Sequence, residues 1–104
     1  MIRAAFRETG GLLSGFTLEG HAGAGRRGED IVCAAVSSAA YMAANTVTEI
    51  CRCTAQAECR DGFLRLEVED PARCQDILRG FLLHLEQLQG QYPGRIEVSR
   101  INGK

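Results

Sequence analysis

Residues that alternate between apolar and polar open the chain, which is the pattern of a half-buried β-strand. The apolar positions of this pattern within the first 20 residues are Ile2, Ala4, Phe6, Phe16 and Leu18. Thr9-Gly10-Gly11 lies between the two alternating runs and is typical of a turn. The first 20 residues are therefore predicted to form a β-hairpin.

A second pair of alternating runs surrounds Asp61-Gly62. The positions expected to face the core are Cys53, Ala55, Ala57 and Cys59 before this dipeptide, and Leu64, Leu66 and Val68 after it. Asp-Gly between two alternating runs is a strong hairpin signal, because both residues tolerate a positive φ. Residues 95–101 form a last predicted strand, in which Ile96 and Val98 face inward.

Two helices separate these strands. Asp30 is a good N-cap for an alanine-rich helix that extends to about Ile50, and Asp70-Pro71 precedes a helix over roughly residues 72–90. The order ββαββαβ predicts an α+β fold in a single domain, residues 1–104. Its mostly antiparallel five-stranded sheet carries both helices on one face. The other face is expected to be polar or to form a dimer surface.

Length and charge narrow the class of protein. The 104 residues are 45% hydrophobic and 24% charged, which are the proportions of one globular domain. Twelve basic against thirteen acidic residues provide no basic surface for nucleic acid or for an anionic membrane. No apolar run approaches the roughly 18–20 residues that cross a bilayer. Five cysteines without a secretory signal indicate reduced thiols and a cytoplasmic location.

Candidate chemistry lies around a glycine-rich loop, residues 20–28. His21 is at its start, and Cys33 is the third residue of the next helix if Asp30 is the N-cap. The helix dipole there favours a thiolate, so we expect the pKa of Cys33 to lie below the ~8.5 of a free cysteine. The first-turn amides are expected to stabilise an oxyanion. A Cys/His pair with such amides suits acyl transfer, although Cys33 in the core and His21 in an ordinary loop remain the alternative.

The other cysteines and His84 do not have the spacing of a metal site. Cys51, Cys53, Cys59 and Cys74 lack the paired C-x₂₋₄-C arrangement of structural zinc sites. Cys53, Cys59 and Cys74 are expected to pack in the core, and His84 lies at the edge of the second helix's apolar stripe. The sequence therefore predicts no metal.

The segment between residues 20 and 37 resembles the signature of the bacterial ribosomal-processing cysteine proteases. The matching residues are Gly20-His21-Ala22-Gly23, Gly28 and Asp30-Ile31-Val32-Cys33-Ala34-Ala35-Val36-Ser37. The ββαββαβ order matches this family over essentially the whole chain. The resemblance implies that Cys33 is the nucleophile, that His21 is the general base, and that Gly20, Asp30 and Ser37 support the site.

The same resemblance implies a function. The protein is expected to be a cysteine endopeptidase that removes the N-terminal extension of a ribosomal large-subunit protein precursor. A homodimer, no cofactor and no direct binding of nucleic acid or membrane are expected with it. Two other functions remain open: a non-catalytic ribosome-associated binding module, and a thiol redox or metal protein.

Three structural roles remain open at this point. Asp30 caps the helix, orients His21 or does both, and Ser37 either serves the site or is a small residue at a helix–sheet contact. The loop residues are expected to be mobile and to close over the substrate, which would bring His21 toward Cys33. These residues are Ala22, Gly23, Ala24, Gly25, Arg26, Arg27 and Gly28. The loop departs from the family pattern because it lacks an aromatic or aliphatic anchor after Gly23.

Overall fold

One mixed β-sheet organises the computed structural model, which describes residues 1–23, 25 and 30–102. Within those ranges the sheet has five strands: β1 (Ile2–Thr9), β2 (Leu12–Glu19), β3 (Ala55–Arg60), β4 (Phe63–Val68) and β5 (Ile96–Asn102). Their order across the sheet is β3-β4-β2-β1-β5. The pairs β1–β2, β2–β4 and β3–β4 are antiparallel, whereas β5 runs parallel to β1. The predicted mostly antiparallel sheet is confirmed.

Both predicted hairpins have glycines in the left-handed region of φ. Gly10 and Gly11 have φ values of 60° and 82° in the turn between β1 and β2, and Gly62 has a φ of 69° between β3 and β4. Other residues rarely adopt such values without strain, so these glycines allow the tight reversals.

The helices lie together on one face of the sheet, as expected. In the described part of the chain they are α1 (Ile31–Asn45), which continues as a π-helical turn over Thr46–Ile50, and α2 (Gln75–Gln91), which follows a 3₁₀ turn over Pro71–Cys74. The ring centroid of Phe81 of α2 lies 5.5 Å from that of Phe6 and 4.9 Å from that of Phe16, both on the sheet. This aromatic group forms the centre of the core.

The helical segment that begins with α1 is more apolar than the sequence analysis expected of any segment. Ile31–Ile50, 20 residues long, is long and apolar enough to span a membrane by length and composition, contrary to the expectation that no run approaches that length. Val32, Val36 and Ala43 of this segment are buried in the core of the domain. Packing on the sheet therefore accounts for part of its apolar character.

The sheet face without helices was expected to be polar or to form a dimer surface. It carries charged side chains. On this face the strand registers place Arg65 opposite Glu58, and they place Arg7 and Glu67 on either side of Gly15. Arg7 and Glu67 form an ion pair, and Arg65 Nε lies 3.8 Å from a carboxylate oxygen of Glu58. Charged side chains that pair across strands keep this face solvated.

The cysteines outside α1 divide into core and surface positions. Cys53 and Cys74 are buried, as expected, whereas Cys59 is exposed, so its predicted core position is wrong. Cys59 does lie on the side of the sheet that carries the helices, as the alternation predicts, because it is opposite Leu64. However, β3 is an edge strand, and a cleft separates this part of it from α1. His84 is exposed on α2.

Candidate active site

Asp30 caps α1 and thereby positions Cys33 in the first helical turn. One oxygen of its carboxylate, Oδ1, accepts hydrogen bonds from the backbone N–H groups of Val32 and Cys33, both at 3.0 Å. Asp30 itself has an extended backbone conformation, with φ −78° and ψ 103°, as is usual for an N-cap residue. Capping is therefore one role of Asp30, and Cys33 is the third residue of the helix as predicted.

Because of this cap, the N–H groups of the first helical turn already have hydrogen-bond partners. The N–H groups of Val32 and Cys33 are engaged by the Asp30 side chain, and that of Ala34 donates to the Asp30 carbonyl at 3.0 Å. The expectation that the first-turn amides are ready for an oxyanion is therefore wrong for these three. The amide that faces the Cys33 sulfur is that of Ala22, whose nitrogen lies 3.2 Å from Cys33 Sγ.

The thiol of Cys33 is protonated more firmly than expected. Burial raises its pKa above the ordinary value, and the hydrogen bond and charge of Asp30 raise it further, while the Ala22 N–H lowers it. The predicted lowering of this pKa is therefore wrong. The physical reason is first that burial disfavours the thiolate, and second that a full negative charge on the N-cap lies where the helix dipole contributes only about half a positive charge. Cys33 thus rests as a neutral thiol at neutral pH.

Two glycines determine where His21 lies. Gly20 has a φ of 91°, and its N–H donates to the carbonyl of Gly62 at 2.9 Å, which ties the end of β2 to the β3–β4 turn. A Cβ on Gly62 would lie 3.0 Å from Nε2 of His21. The imidazole therefore rests against Gly62. The sequence indicated Gly62 only as a turn residue and did not associate it with the histidine.

His21, Cys33 and Ser37 share two clefts in the described part of the chain. The hairpin-side cleft, about 410 Å³, lies between α1 and the β3–β4 hairpin. The loop-side cleft, about 370 Å³, is also lined by Gly23, Gly25 and Asp30. All three side chains line both clefts, so the structure brings together the residues that the sequence predicted around the nucleophile.

Apolar side chains form much of the hairpin-side cleft. Leu18 and Leu64 contribute from the sheet, and Tyr41 contributes from α1. Tyr41 is two helical turns after Cys33, on the same side of the helix. Its Oη lies 3.5 Å from the Sγ of Cys59, a contact that joins the two walls and raises the pKa of the tyrosine hydroxyl. Sequence analysis did not identify Tyr41, although its i+8 spacing from Cys33 was visible.

The glycine-rich loop is described only in part. Ala22 is buried, and Gly23 and Gly25 line the loop-side cleft. Ala24 and residues 26–28 of the predicted gating loop lie outside the described residues. The prediction that the loop closes over the substrate therefore stays a prediction.

Arg95 holds the first residues of the loop and was missed by sequence analysis. Its Nη1 donates to the carbonyl of Ala22 at 3.3 Å and to that of Gly23 at 2.6 Å. More than 70 residues separate Arg95 from this segment, and no local pattern connects them.

Two of the remaining thiols, those of Cys53 and Cys74, are buried in the core. All five cysteines, each within the described residues, are free. The Sγ of Cys53 donates to the carbonyl of Asp70 at 3.7 Å, and that of Cys74 donates to the carbonyl of Pro71 at 3.5 Å. Among residues 1–23, 25 and 30–102, no group of three or more His, Cys, Asp or Glu side chains is arranged to hold a metal ion.

Solved structures with the same fold include peptide-bound proteases. The essential ribosomal processing protease Prp from S. aureus, in complex with a covalently linked product peptide, has a TM-score of 0.91 and 24% identity, over 97% of this chain and 100% of that chain. The SMU.848 protein from Streptococcus mutans has a TM-score of 0.85 and 28% identity, over 99% of each chain. A complex of the S. aureus protease with a substrate peptide has a TM-score of 0.85 and 23% identity, over 97% of this chain and 100% of that chain. These likenesses establish the fold class.

The sequence itself matches a family model. The model of the family described as cysteine protease Prp matches residues 1–97. The chain therefore belongs to the Prp cysteine protease family, and it is a cysteine protease. None of the curated proteins compared with the chain matches it in sequence. Both the predicted family and the predicted enzyme class are confirmed.

Proposed function

We propose that this protein is a cytoplasmic cysteine endopeptidase that removes the N-terminal extension of a ribosomal large-subunit protein precursor. Cys33 is the nucleophile and His21 the general base in this proposal. The observation that carries it is that both side chains line the same two clefts, with the Ala22 amide on the Cys33 sulfur. Family membership supports peptide hydrolysis, and the names of the S. aureus complexes support a ribosomal substrate.

The reaction follows from this geometry as an acyl transfer. His21 takes the proton of the Cys33 thiol while the sulfur attacks the scissile carbonyl carbon, and the carbonyl oxygen becomes an oxyanion. The Ala22 N–H, 3.2 Å from Sγ in the free protein, stabilises that oxyanion. His21 then protonates the leaving amine, and the C–N bond breaks to leave a thioester on Cys33. Water adds to the thioester with His21 again as the base, which releases the new carboxylate and the thiol.

A raised thiol pKa makes the base essential. Because burial and Asp30 keep Cys33 protonated, the free enzyme holds little thiolate at neutral pH. Attack therefore depends on His21 accepting the proton at the moment when the peptide is bound. We include the closing of loop residues 22–28 over the peptide in this proposal, since it would exclude water and bring the imidazole to the sulfur. Ser37, which lines both clefts, is proposed to support this arrangement.

The two clefts fit a peptide that passes across Cys33. Substrate residues on one side of the scissile bond occupy the hairpin-side cleft, and those on the other side occupy the loop-side cleft. Leu18, Leu64 and Tyr41 give the hairpin-side cleft apolar walls, which suit aliphatic or aromatic side chains.

The proposal also includes a homodimer of residues 1–104 that works without a cofactor. Large apolar side chains are exposed on both helices, namely Ile31 and Met42 on α1 and Leu83 on α2. Exposed apolar groups of this size are typical of surfaces that a second chain covers.

Replacement of the nucleophile tests the proposed function. The Cys33→Ala variant should retain its fold and lose all cleavage of a peptide that spans the junction between the extension and the mature chain. Cys51→Ala is the matched control, because Cys51 is a half-buried free thiol that lines neither of these two clefts. It should cleave at a rate close to that of the wild type. Mass spectrometry of the reaction should show a thioester adduct on Cys33. Wild-type cleavage by Cys33→Ala would reject the mechanism.

A further inference from the structure

We propose that Arg95 is a positioning residue for peptide cleavage, because it holds the Ala22 and Gly23 carbonyls so that the Ala22 amide keeps facing the Cys33 sulfur. The inference rests on the proposed function, in which that sulfur is the nucleophile. It assigns a role to a residue that does not touch the reacting atoms and that lies outside the signature between residues 20 and 37.

Arg95 is itself held firmly by its backbone. It lies between α2 and β5, where its N–H donates to the carbonyl of Tyr92 at 3.1 Å and its carbonyl accepts from the N–H of Ile2 at 2.9 Å. The second bond ties it to the start of β1, next to the centre of the sheet. The side chain therefore extends from a fixed base toward the loop.

Ala22 is restrained on every side that the structure shows. Its methyl group is buried in the core, its N–H donates to Cys33 Sγ at 3.2 Å, and its carbonyl accepts from Arg95 at 3.3 Å. The next carbonyl, that of Gly23, accepts from the same Arg95 nitrogen at 2.6 Å. One guanidinium thus determines the orientation of two successive peptide groups beside the nucleophile.

The hydrogen bonds from Arg95 to these two carbonyls matter because Gly23 has few restraints of its own. Gly23 has a φ of 70° and no side chain, so its backbone has access to many other conformations. A displacement of the Ala22–Gly23 segment would carry the Ala22 N–H, which belongs to the preceding peptide group, away from the sulfur. Errors of about 1 Å in such positions can cost on the order of 100-fold in rate.

Peptide cleavage gives the first test, with Arg100 as the matched control. Arg100 is another exposed arginine, on β5, and it pairs with Glu8 at 3.2 Å. With a fluorogenic peptide that spans the junction between extension and mature chain, Arg95→Ala should lower kcat by about 10–100-fold with little change in KM. Arg100→Ala should keep the wild-type kcat. Arg95→Lys should recover part of the loss, and guanidinium ion added to Arg95→Ala should do the same.

The pH dependence of Cys33 alkylation gives a test that does not require proteolysis. Iodoacetamide labelling of Cys33 is followed by mass spectrometry, which separates it from the other cysteines. The Ala22 N–H lowers the pKa of this thiol, so releasing Ala22 in Arg95→Ala should move the labelling midpoint to higher pH. The titratable and charged groups that face the thiol are the same in every variant; they include Asp30, His21, the N-terminal amine, and Arg60 and Asp61 of the hairpin-side cleft.

The outcomes are distinguishable. A lower kcat and a higher labelling midpoint in Arg95→Ala, both absent from Arg100→Ala, support the proposal. An unchanged midpoint, or a wild-type kcat, in folded Arg95→Ala overturns it. Where Arg95→Ala does not fold, the same two readouts are taken on Arg95→Lys, and wild-type values there overturn it. If Cys33→Ala still cleaves the peptide, the proposed function fails, whereas the labelling midpoint still reports whether Arg95 acts on Cys33.

Discussion

At the residue scale, the charge of Asp30 and its capping role are separable. In Asp30→Asn the amide oxygen still caps the N–H groups of Val32 and Cys33, whereas the negative charge that raises the pKa of Cys33 is lost. We therefore expect the labelling midpoint of Cys33 with iodoacetamide to move to lower pH than in the wild type. Glu49→Gln, which removes an exposed charge at the far end of the helical segment, is the control. A midpoint that stays in place or rises in Asp30→Asn would contradict this origin of the raised pKa.

At the scale of elements, Gln75 joins α2 to the first hairpin. Its Oε1 accepts from the N–H of Leu13 at 2.9 Å, and its Nε2 donates to the carbonyls of Leu13 and Pro71, both at 2.7 Å. Gln75→Leu keeps the size of the side chain but leaves these backbone groups without their partner. We expect it to lower the free energy of unfolding by about 2–3 kcal/mol, measured by urea denaturation. Gln87→Leu, at an exposed position of α2, should change it by less than ~0.5 kcal/mol. Equal effects of the two substitutions would contradict the role of Gln75.

At the scale of the whole molecule, the proposed homodimer makes a hydrodynamic prediction. Sedimentation equilibrium should give twice the chain mass of 11.3 kDa at micromolar concentrations. Ile31 and Met42 lie three helical turns apart on the same outward side of α1, where Met42 is 54% exposed. Met42→Gln should therefore weaken the dimer more than Leu83→Gln, which alters a single apolar residue of α2. A monomer at every concentration would reject the dimer, and a stronger effect of Leu83→Gln would place the interface on α2.

Much of the fold was determined by local sequence signals. Alternation set the faces of β1 and β2, and the glycines at residues 10, 11 and 62 set the turns, because strand faces and tight reversals depend on neighbouring residues. Asp30 set the start of α1 in the same local way, since a cap bonds to amides two and three residues ahead. Cys33 therefore had to be in the first helical turn. The pairing of Cys33 with His21 was inferred from their positions on either side of the glycine-rich loop, and the family resemblance added the expected role of each.

Only the tertiary structure decided the properties that depend on distant residues. The parallel pairing of β5 with β1 brings Arg95 to Ala22, and the β3–β4 turn brings Gly62 to His21. The exposure of Cys59 follows from its place on an edge strand, which alternation along one strand does not reveal. Burial is the largest cause of the raised pKa of Cys33, and the N–H of Ala22 lowers that pKa only in part, so its direction was not readable from a position at a helix N-terminus. Each of these depends on which segments meet in space, and the free energy of those contacts is a property of the packed chain as a whole.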